Sequence, residues 1–505
     1  MIRAGNTSRW YVLAAALTAC AGCAVGPDYQ RPTTPTPTQI TRQPLASTAG
    51  SASGVSQQWS SNEAIAKTWW EVFGSDALNR RVQRALAHNP DLDAATAALK
   101  QAQENVAAQR ATFFPSAQLN YSPSRQRDAV GTLAPTLTSN ATYYTLHTAQ
   151  LNISYAPDVF GLNRRTVESL QAQADNQRYQ LEAARLTLAA NVVNAAIQEA
   201  SLRSQIEATQ AVIDAQTKAL TILHAQAKLG YASGLDVAAQ ESALAQARQS
   251  LPPLEKQLEQ NRDLLAVLCG DTPDQAGAPE FDLEHLTLPV SLPQAVPSQL
   301  ITQRPDVRAA EESVHDASAQ VGVALANRLP QFTLSGAYGG SSTSFTHMFT
   351  DNNVFWTLAG SVSQTVFDFG ALKHKQRSAE AALQQSAAQY RGVVLGAFQN
   401  VADTLYAIDS DARALAAADD AEKAASRTLT LTQKQQQLGY VNVLTLINAQ
   451  QAFQQARISR VQAQAARLSD TAALIQALGG GGRVRWCRTE RFALRRGAAP
   501  DFSSA

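Results

Sequence analysis

Residues 162–229 read LNRRTVESLQAQADNQRYQLEAARLTLAANVVNAAIQEASLRSQIEATQAVIDAQTKALTILHAQAKL, and the rest of the chain is arranged around them. The stretch contains neither proline nor glycine, the residues that most often end a helix. Apolar residues recur at heptad spacing. This seam consists of Leu181, Leu188, Val192, Ala195, Leu202, Ile206, Ile213, Leu220 and Leu223. A single helix here would be about 100 Å long. The sequence therefore predicts a long coiled coil, of which an antiparallel pair is the simplest form.

The composition argues against a nucleic-acid partner and against an enzyme. The 505 residues carry a net charge of +1, so no basic field would attract DNA or RNA. The seven histidines are scattered without the spacing of metal ligands, and no glycine-rich phosphate loop with its lysine is present. We therefore expect no catalytic site, no metal and no diffusible cofactor.

The first 23 residues have the features of a bacterial export signal. Arg3 and Arg9 precede an uncharged stretch that ends in small residues and cysteine. Leu17-Thr18-Ala19-Cys20 resembles a lipobox, in which the cysteine is acylated, and Cys23 is a competing site three residues later. Palmitate and diacylglycerol on the cysteine would anchor the chain to a bilayer. An ordinary cleaved signal with two incidental cysteines is the alternative.

Residues 24–58 are rich in Pro, Thr and Ser and are expected to form an extended linker. Helical patterning begins near Ser75, and a second helix is expected to begin at Pro90 or Asp91. After the long helix, a returning helix begins near Leu235. We expect Pro252-Pro253 to break it, because proline removes a backbone donor and clashes with the preceding turn.

Residues 143–155 alternate between two kinds of side chain. The odd positions include Tyr143, Leu151 and Ile153, whereas the even positions include Gln150 and Asn152. Alternation with period two predicts a strand with one face suited to lipid and the other suited to water.

The second half of the chain repeats the first. Asn89-Pro90-Asp91-Leu92 recurs as Arg304-Pro305-Asp306-Val307, 215 positions later, and Leu229-Gly230-Tyr231 recurs as Leu438-Gly439-Tyr440, 209 positions later. We divide the chain into a first repeat at 59–270, a connector at 271–297 and a second repeat at 298–479. Each repeat supplies two strands. Four membrane strands would leave two open edges, and closed barrels need about eight strands, so a trimer with twelve is expected.

These features resemble the TolC-like outer-membrane efflux factors, in particular their lipoprotein (NodT-type) branch. The resemblance covers roughly residues 23–479. It rests on an ordered set of motifs. These are Cys23-Ala24-Val25-Gly26-Pro27-Asp28-Tyr29, Trp69-Trp70 with Phe73, Asn89-Pro90-Asp91-Leu92, Arg304-Pro305-Asp306, the two Leu-Gly-Tyr turns, Leu235-Asp236-Val237 and Ala449-Gln450.

The resemblance implies a mainly α fold with a small β-barrel portion. Three copies would form a twelve-strand barrel in the outer membrane of a Gram-negative bacterium and an α-helical tunnel in the periplasm. Residues 271–297 would then lie in an equatorial belt. The function implied is a passive duct that exports drugs or other small toxic compounds. Its partners would be a periplasmic adaptor (a membrane fusion protein) and an inner-membrane pump of the RND type. A channel for type I protein secretion and a soluble periplasmic coiled-coil adaptor are the alternatives.

The resemblance also implies where the tunnel ends. The two turns, Leu229-Gly230-Tyr231 and Leu438-Gly439-Tyr440, would form the periplasmic tip and contact the adaptor. We expect Gly230 and Gly439 to adopt left-handed conformations that end the long helices. Leu444 and Asn448 are candidate gate residues because positions i and i+4 share a helix face. The family often has an acidic residue where this chain has Asn448, although Asp236 could supply the negative charge.

The tail departs from the family pattern. Residues 480–505 follow the point where the family usually ends, and six arginines fall between positions 483 and 496. A basic arm and an altered reading frame are equally good explanations.

Overall fold

The computed structural model describes residues 24–33, 40–42, 57–60, 65–127, 143–278, 280–293 and 303–480. Cys20, Cys23 and the tail beyond residue 480 lie outside the described residues. The helices are α1 (Asp76–His88), α2 (Pro90–Ala111), α3 (Leu162–Lys228), α4 (Gly234–Leu268), α5 (Pro305–Ala326), α6 (Ala371–Gln437) and α7 (Val443–Ala477). The strands are β1 (Gln58–Ser60), β2 (Ser116–Arg127), β3 (Tyr143–Tyr155), β4 (Ser291–Pro293), β5 (Gln331–Ser342) and β6 (Val354–Ser363). Within these ranges, every helix falls short of the length or the hydropathy that crossing a membrane requires.

The internal repeat is confirmed at the level of helices. The long helices α3 and α6 contain 67 residues each, and the helices that return from them, α4 and α7, contain 35 residues each. Both pairs are related by the 209-residue offset. Helix α2 and strand β2 recur as α5 and β5 at the 215-residue offset. The chain is therefore two copies of one helix–strand–strand–helix–helix unit.

The predicted helix starts are also confirmed, and local capping explains them. The Ser75 hydroxyl accepts a hydrogen bond from the Leu78 amide at 3.3 Å and caps α1. The Asn89 side chain accepts from the amides of Asp91 and Leu92 at 3.0 and 3.3 Å, and Pro90 occupies the first position of α2. These side chains satisfy amides that the first turn of a helix leaves without partners.

The predicted break at Pro252-Pro253 is wrong, because α4 continues through both prolines to Leu268. The two prolines are exposed, as are Arg248 and Gln249, whose carbonyl groups lose their helical donors, so water can reach those carbonyls. The Ser250 hydroxyl additionally donates to the carbonyl of Ala247 at 2.7 Å. On a solvated helix face, two prolines are therefore accommodated.

The largest core surrounds the middle of α3. Trp69 and Phe73 pack there together with Phe281 from the connector. The carboxylate of Glu199 on α3 accepts hydrogen bonds from the amides of Glu280 and Phe281 at 2.6 and 3.0 Å. The connector is thus fixed to one side of the long helix, about halfway along it.

Candidate functional site

Strands β2, β3, β5 and β6 form one antiparallel sheet in that order. The register places Leu119, Leu151, Tyr338 and Trp356 opposite one another in a row across all four strands. The neighbouring row contains Gln118, Asn152, Ala337 and Thr357. Residues that are directly opposed point to the same face, and adjacent rows point to opposite faces. The predicted two-faced strands are confirmed: one face is apolar and exposed, and the other is polar.

Aromatic side chains flank the apolar face at both ends. At one end the Tyr121 hydroxyl is 2.9 Å from Nδ1 of His147, and the ring of Phe345 packs edge-on against Tyr121. At the other end the rings of Phe160 and Phe332 lie 6.3 Å apart. An apolar band between two aromatic girdles is typical of a sheet that contacts lipid.

The outer edges of the sheet are open. Strands β2 and β6 each pair on one side only, and no other strand in the described part of the chain pairs with their outer edges. An exposed edge presents backbone donors and acceptors that a further strand can pair with.

An N-terminal strap, residues 24–31, lies against the start of α3. The Val25 amide donates to the Phe160 carbonyl at 3.1 Å. The buried guanidinium of Arg165 donates to the carbonyls of Val25 and Gly26 at 3.1 and 3.3 Å and to the carboxylate of Asp28 at 2.8 Å. Sequence reasoning used this motif only as a family marker and missed its contacts. Gly26-Pro27 was the available signal, because Gly26 has φ +102° and a Cβ there would lie 2.5 Å from the Gly322 backbone.

The strap is also held by α5. The Tyr29 ring stacks on His315 with 4.4 Å between ring centroids, and Arg31 forms a 2.8 Å ion pair with Glu311. His315 lies 3.2 Å from the carboxylates of both Glu312 and Glu168. The hydrogen bond with Glu312, supported by Glu168, raises the pKa of His315 against the opposing effect of burial. The strap therefore connects the first residues of the described chain to both repeats.

Each long helix ends in a tight left-handed turn, as predicted. Gly230 has φ +80°, and the Tyr231 amide donates to the Gln226 carbonyl at 2.9 Å. Gly439 has φ +78°, and the Tyr440 amide donates to the Gln435 carbonyl, also at 2.9 Å. A second bond in each turn, from the glycine amide, completes the Schellman motif.

The side chains of both turns are unusually exposed for apolar residues. Leu229 and Tyr231 are 72% and 82% exposed, and Leu438 and Tyr440 are 70% and 79% exposed. Both long helices begin beside the sheet and contain 67 residues, so these turns lie about 100 Å from it. No other part of the described chain covers them.

The candidate gate residues have different surroundings. The Asp236 carboxylate accepts hydrogen bonds from the Ser233 amide and hydroxyl at 3.1 and 2.6 Å and so forms a capping box at the start of α4. Leu444 and Asn448 lie on the exposed side of α7, whereas Ile447 between them is buried. Asp236 thus already has a structural role at the start of α4. The side chains of Leu444 and Asn448 are exposed and are therefore available for a role in the gate.

Within the described ranges, no group of three or more His, Cys, Asp or Glu side chains could hold a metal ion. The features that a function must explain are therefore the two-faced sheet with open edges, the long helices and the exposed tips.

Comparison with known proteins agrees with this geometry. The family model of the outer membrane efflux proteins matches residues 81–271 and 296–480. The pyoverdine export outer membrane protein OpmQ of Pseudomonas putida is 29% identical over 415 residues, which cover 82% of this chain and 88% of OpmQ. The probable efflux pump outer membrane protein TtgC of Pseudomonas putida is 28% identical over 467 residues, which cover 91% of this chain and 93% of TtgC.

Solved structures extend the comparison to the fold. The outer membrane protein VceC of Vibrio cholerae superimposes with a TM-score of 0.76 at 25% identity, over 82% of this chain and 99% of VceC. All three are named as outer membrane proteins, one of pyoverdine export and one of an efflux pump. The chain belongs to the outer membrane efflux protein family.

Proposed function

We propose that this outer-membrane efflux protein works as a homotrimer that forms a continuous passive duct. Three four-stranded sheets would close into a twelve-stranded barrel in the outer membrane, and the long helices would continue the barrel as a tunnel through the periplasm. The observation that carries this proposal is the exposed apolar face of a sheet with two open edges. Lipid accepts such a face, and only another strand satisfies such edges.

The internal repeat of the chain supports the closure of three sheets into one barrel. Within the chain, β3 of the first repeat pairs with β5 of the second. The counterpart of β3 is β6, and the counterpart of β5 is β2; these are the two strands with free edges. If β6 of one copy pairs with β2 of the next in the same way, three copies give six equivalent interfaces and no free edge.

The exposed turns at the ends of the two long helices support an interaction with a partner protein. Apolar side chains left exposed at the end of a long helix are typical of an interaction surface. We propose that Leu229, Tyr231, Leu438 and Tyr440, on the turns at Gly230 and Gly439, contact a periplasmic adaptor that joins the duct to an inner-membrane pump of the RND type. Leu444 and Asn448, with Asp236 as a further candidate, would line the closed end. Small toxic compounds are the proposed cargo, since OpmQ and TtgC are named for pyoverdine export and for efflux.

Two arginine substitutions test the proposed lipid face. We expect Leu151→Arg to impair barrel assembly, because an arginine at mid-depth of a lipid-facing strand costs about 2 to 4 kcal/mol per copy. Leu358→Arg, on the same apolar face, should have the same effect. The measurement is the amount of heat-modifiable trimer in the outer-membrane fraction.

Gln150→Arg is the matched control, since Gln150 neighbours Leu151 but points to the polar face. It should assemble better than either leucine variant. Equal assembly of all three would contradict the lipid-facing assignment, and full-length protein in the soluble periplasmic fraction would favour the coiled-coil adaptor alternative.

We further propose a lipid anchor of palmitate and diacylglycerol on Cys20, the cysteine that the lipobox favours, with Cys23 as the alternative. The strap supports an anchor near the membrane, because the Val25 amide is hydrogen-bonded to Phe160, in the short link between β3 and α3. Each residue between this contact and the acylated cysteine adds at most about 3.5 Å.

Metabolic labelling with palmitate tests the anchor. Label should be lost in Cys20→Ala and retained in Cys23→Ala. The opposite pattern would assign the anchor to Cys23, and loss of label only in the double variant would mean that the two sites substitute for one another. A parent protein without label would contradict the anchor itself.

A further inference from the structure

The two junctions between a strand and a long helix are built alike. Gly161 and Gly370 have φ of +81° and +88° and immediately precede α3 and α6. An aspartate carboxylate accepts from the first amides of each helix: Asp158 from Asn163 at 3.0 Å, and Asp368 from Leu372 at 2.8 Å. The two junctions thus share a left-handed glycine and an aspartate cap.

Only the first junction is covered. A Cβ added at Gly161 would lie 2.7 Å from Ala24 of the strap, whereas a Cβ at Gly370 would meet only the ring of His374 at 3.7 Å. His374 is the repeat counterpart of Arg165, the buried residue that holds the strap. Among the described residues, nothing covers the corresponding surface in the second repeat.

The open junction carries more positive than negative charge. Lys373, His374 and Arg377 are exposed, and their side chains form no hydrogen bond or ion pair with any residue that the structure describes. Two carboxylates are near in sequence, Asp368, which caps the helix, and Glu380, which accepts from Gln376 at 2.8 Å, and neither forms an ion pair with these cations. Positive charge in the first turn also opposes the helix dipole. Helix stability therefore does not explain these cations.

Apolar side chains lie beside the cations. Val366, Phe367 and Phe369 are 94%, 75% and 91% exposed, and the two phenylalanine rings lie 4.6 Å apart. Phe369 has φ +55°, the only positive φ of a residue other than glycine in the described ranges. A bulky residue rarely adopts this conformation, and such strain concentrates where a side chain has to be presented in a particular way.

A second copy of the chain would add one cation and one carboxylate to this surface and would leave its net charge unchanged. The ion pair between Glu168 and His315, at 3.2 Å, joins α3 to α5 within the chain. The counterparts of these residues are Arg377 on α6 and Lys100 on α2. A neighbour placed by the repeat would bring Lys100 towards Arg377, and Glu104, one turn further along α2, would face the same side of α6.

We propose that the second junction binds the phosphate-bearing headgroup of a membrane phospholipid. Lys373, His374 and Arg377 face the phosphate, and Phe367 and Phe369 lie at the boundary between headgroup and acyl chain. The proposal rests on the proposed function, which places the end of β6 at the periplasmic surface of the outer membrane. Charge complementarity and continuity with the apolar face of β6 select lipid as the occupant.

Native mass spectrometry of the detergent-solubilised full-length chain tests the site with two probes of the same acyl chains. These are dioleoyl phosphatidylglycerol and dioleoylglycerol, which lacks the phosphate. Each juxtamembrane cation contributes about 1 kcal/mol to binding anionic lipid, so Lys373→Gln with Arg377→Gln should bind phosphatidylglycerol roughly 30-fold more weakly. Arg427→Gln with Lys434→Gln, the same charge change far along the same helix, should bind like the parent.

Equal phosphatidylglycerol binding by the two double variants would overturn the proposal. So would a parent that binds dioleoylglycerol as tightly as phosphatidylglycerol, since the apolar sheet alone would then account for the lipid. Lipid is counted per chain, and the same spectra give the oligomeric mass. A chain that is not trimeric would contradict the proposed duct, while the comparison of variants would still decide the lipid site.

Discussion

Gly439→Val should abolish efflux while the protein still assembles and reaches the outer membrane. Gly439 has φ +78°, a conformation that a β-branched residue adopts only under strain, and both hydrogen bonds of the Schellman turn depend on it. A Cβ at this position would meet no atom within 4 Å, so the substitution strains the backbone without a steric clash. Drug resistance in a strain that lacks the parental channel, together with the amount of trimer in its outer membrane, measures both parts of the expectation.

Gly439→Asn is the matched control, because asparagine tolerates the left-handed conformation better than other residues. Although this variant also adds a side chain at position 439, it should retain most of the resistance. If Gly439→Val supports resistance as well as the parent does, the turn is not the adaptor contact. If the valine variant fails to form trimers, the turn is needed for assembly instead.

A different outcome is expected at the proposed gate. Leu444→Ser with Asn448→Ala removes two exposed side chains from one face of α7 without touching the turn. This change should loosen the closed end and increase the uptake of large antibiotics when the pump is absent. Gly439→Val should not increase uptake in this way. If both variants match the parent in efflux and in leakage, the turns and the gate residues do not form the closed periplasmic end of the proposed duct.

The sequence predicted those parts of the fold that depend on neighbouring residues. The long helices follow from an uninterrupted heptad pattern, and their starts follow from Ser75 and Asn89, whose side chains cap the next turn. The left-handed turns follow from the glycines at 230 and 439. The faces of β3 follow from alternation with period two. In each case the interacting residues are only a few positions apart, so the local sequence pattern is enough to predict the interaction.

Features that depend on the surroundings were not predicted. Pro252 and Pro253 fit inside α4 because the carbonyl groups that lose their donors are on an exposed face, and local sequence does not reveal exposure. The strap depends on contacts between Val25 and Arg165, which are 140 positions apart. Asp236 is expected from the sequence as part of a family motif and as a gate candidate, but its position three residues after Ser233 also makes it part of a capping box. The capping signal was readable in the sequence, whereas the strap was not.

A disulfide between copies tests the closure of three chains into one barrel. Within the chain, Ile153 of β3 is opposite Gly336 of β5. The repeat counterparts of these residues are Val362 of β6 and Tyr121 of β2, so these two should be opposite each other in neighbouring copies. Directly opposed residues are close enough for a disulfide after small adjustments. The test variant is therefore Tyr121→Cys with Val362→Cys, in a background in which Cys23 and Cys487 are replaced by Ser.

The matched control is Tyr121→Cys with Leu358→Cys, which moves the second cysteine four residues along β6, or about 14 Å. The measurement is the mass of the oxidised protein from outer membranes on a non-reducing denaturing gel. We predict a covalent trimer, with no larger species, for the test variant and much less cross-linking for the control. Monomer alone, a ladder extending beyond the trimer, or equal cross-linking of the two variants would contradict a closed three-chain barrel.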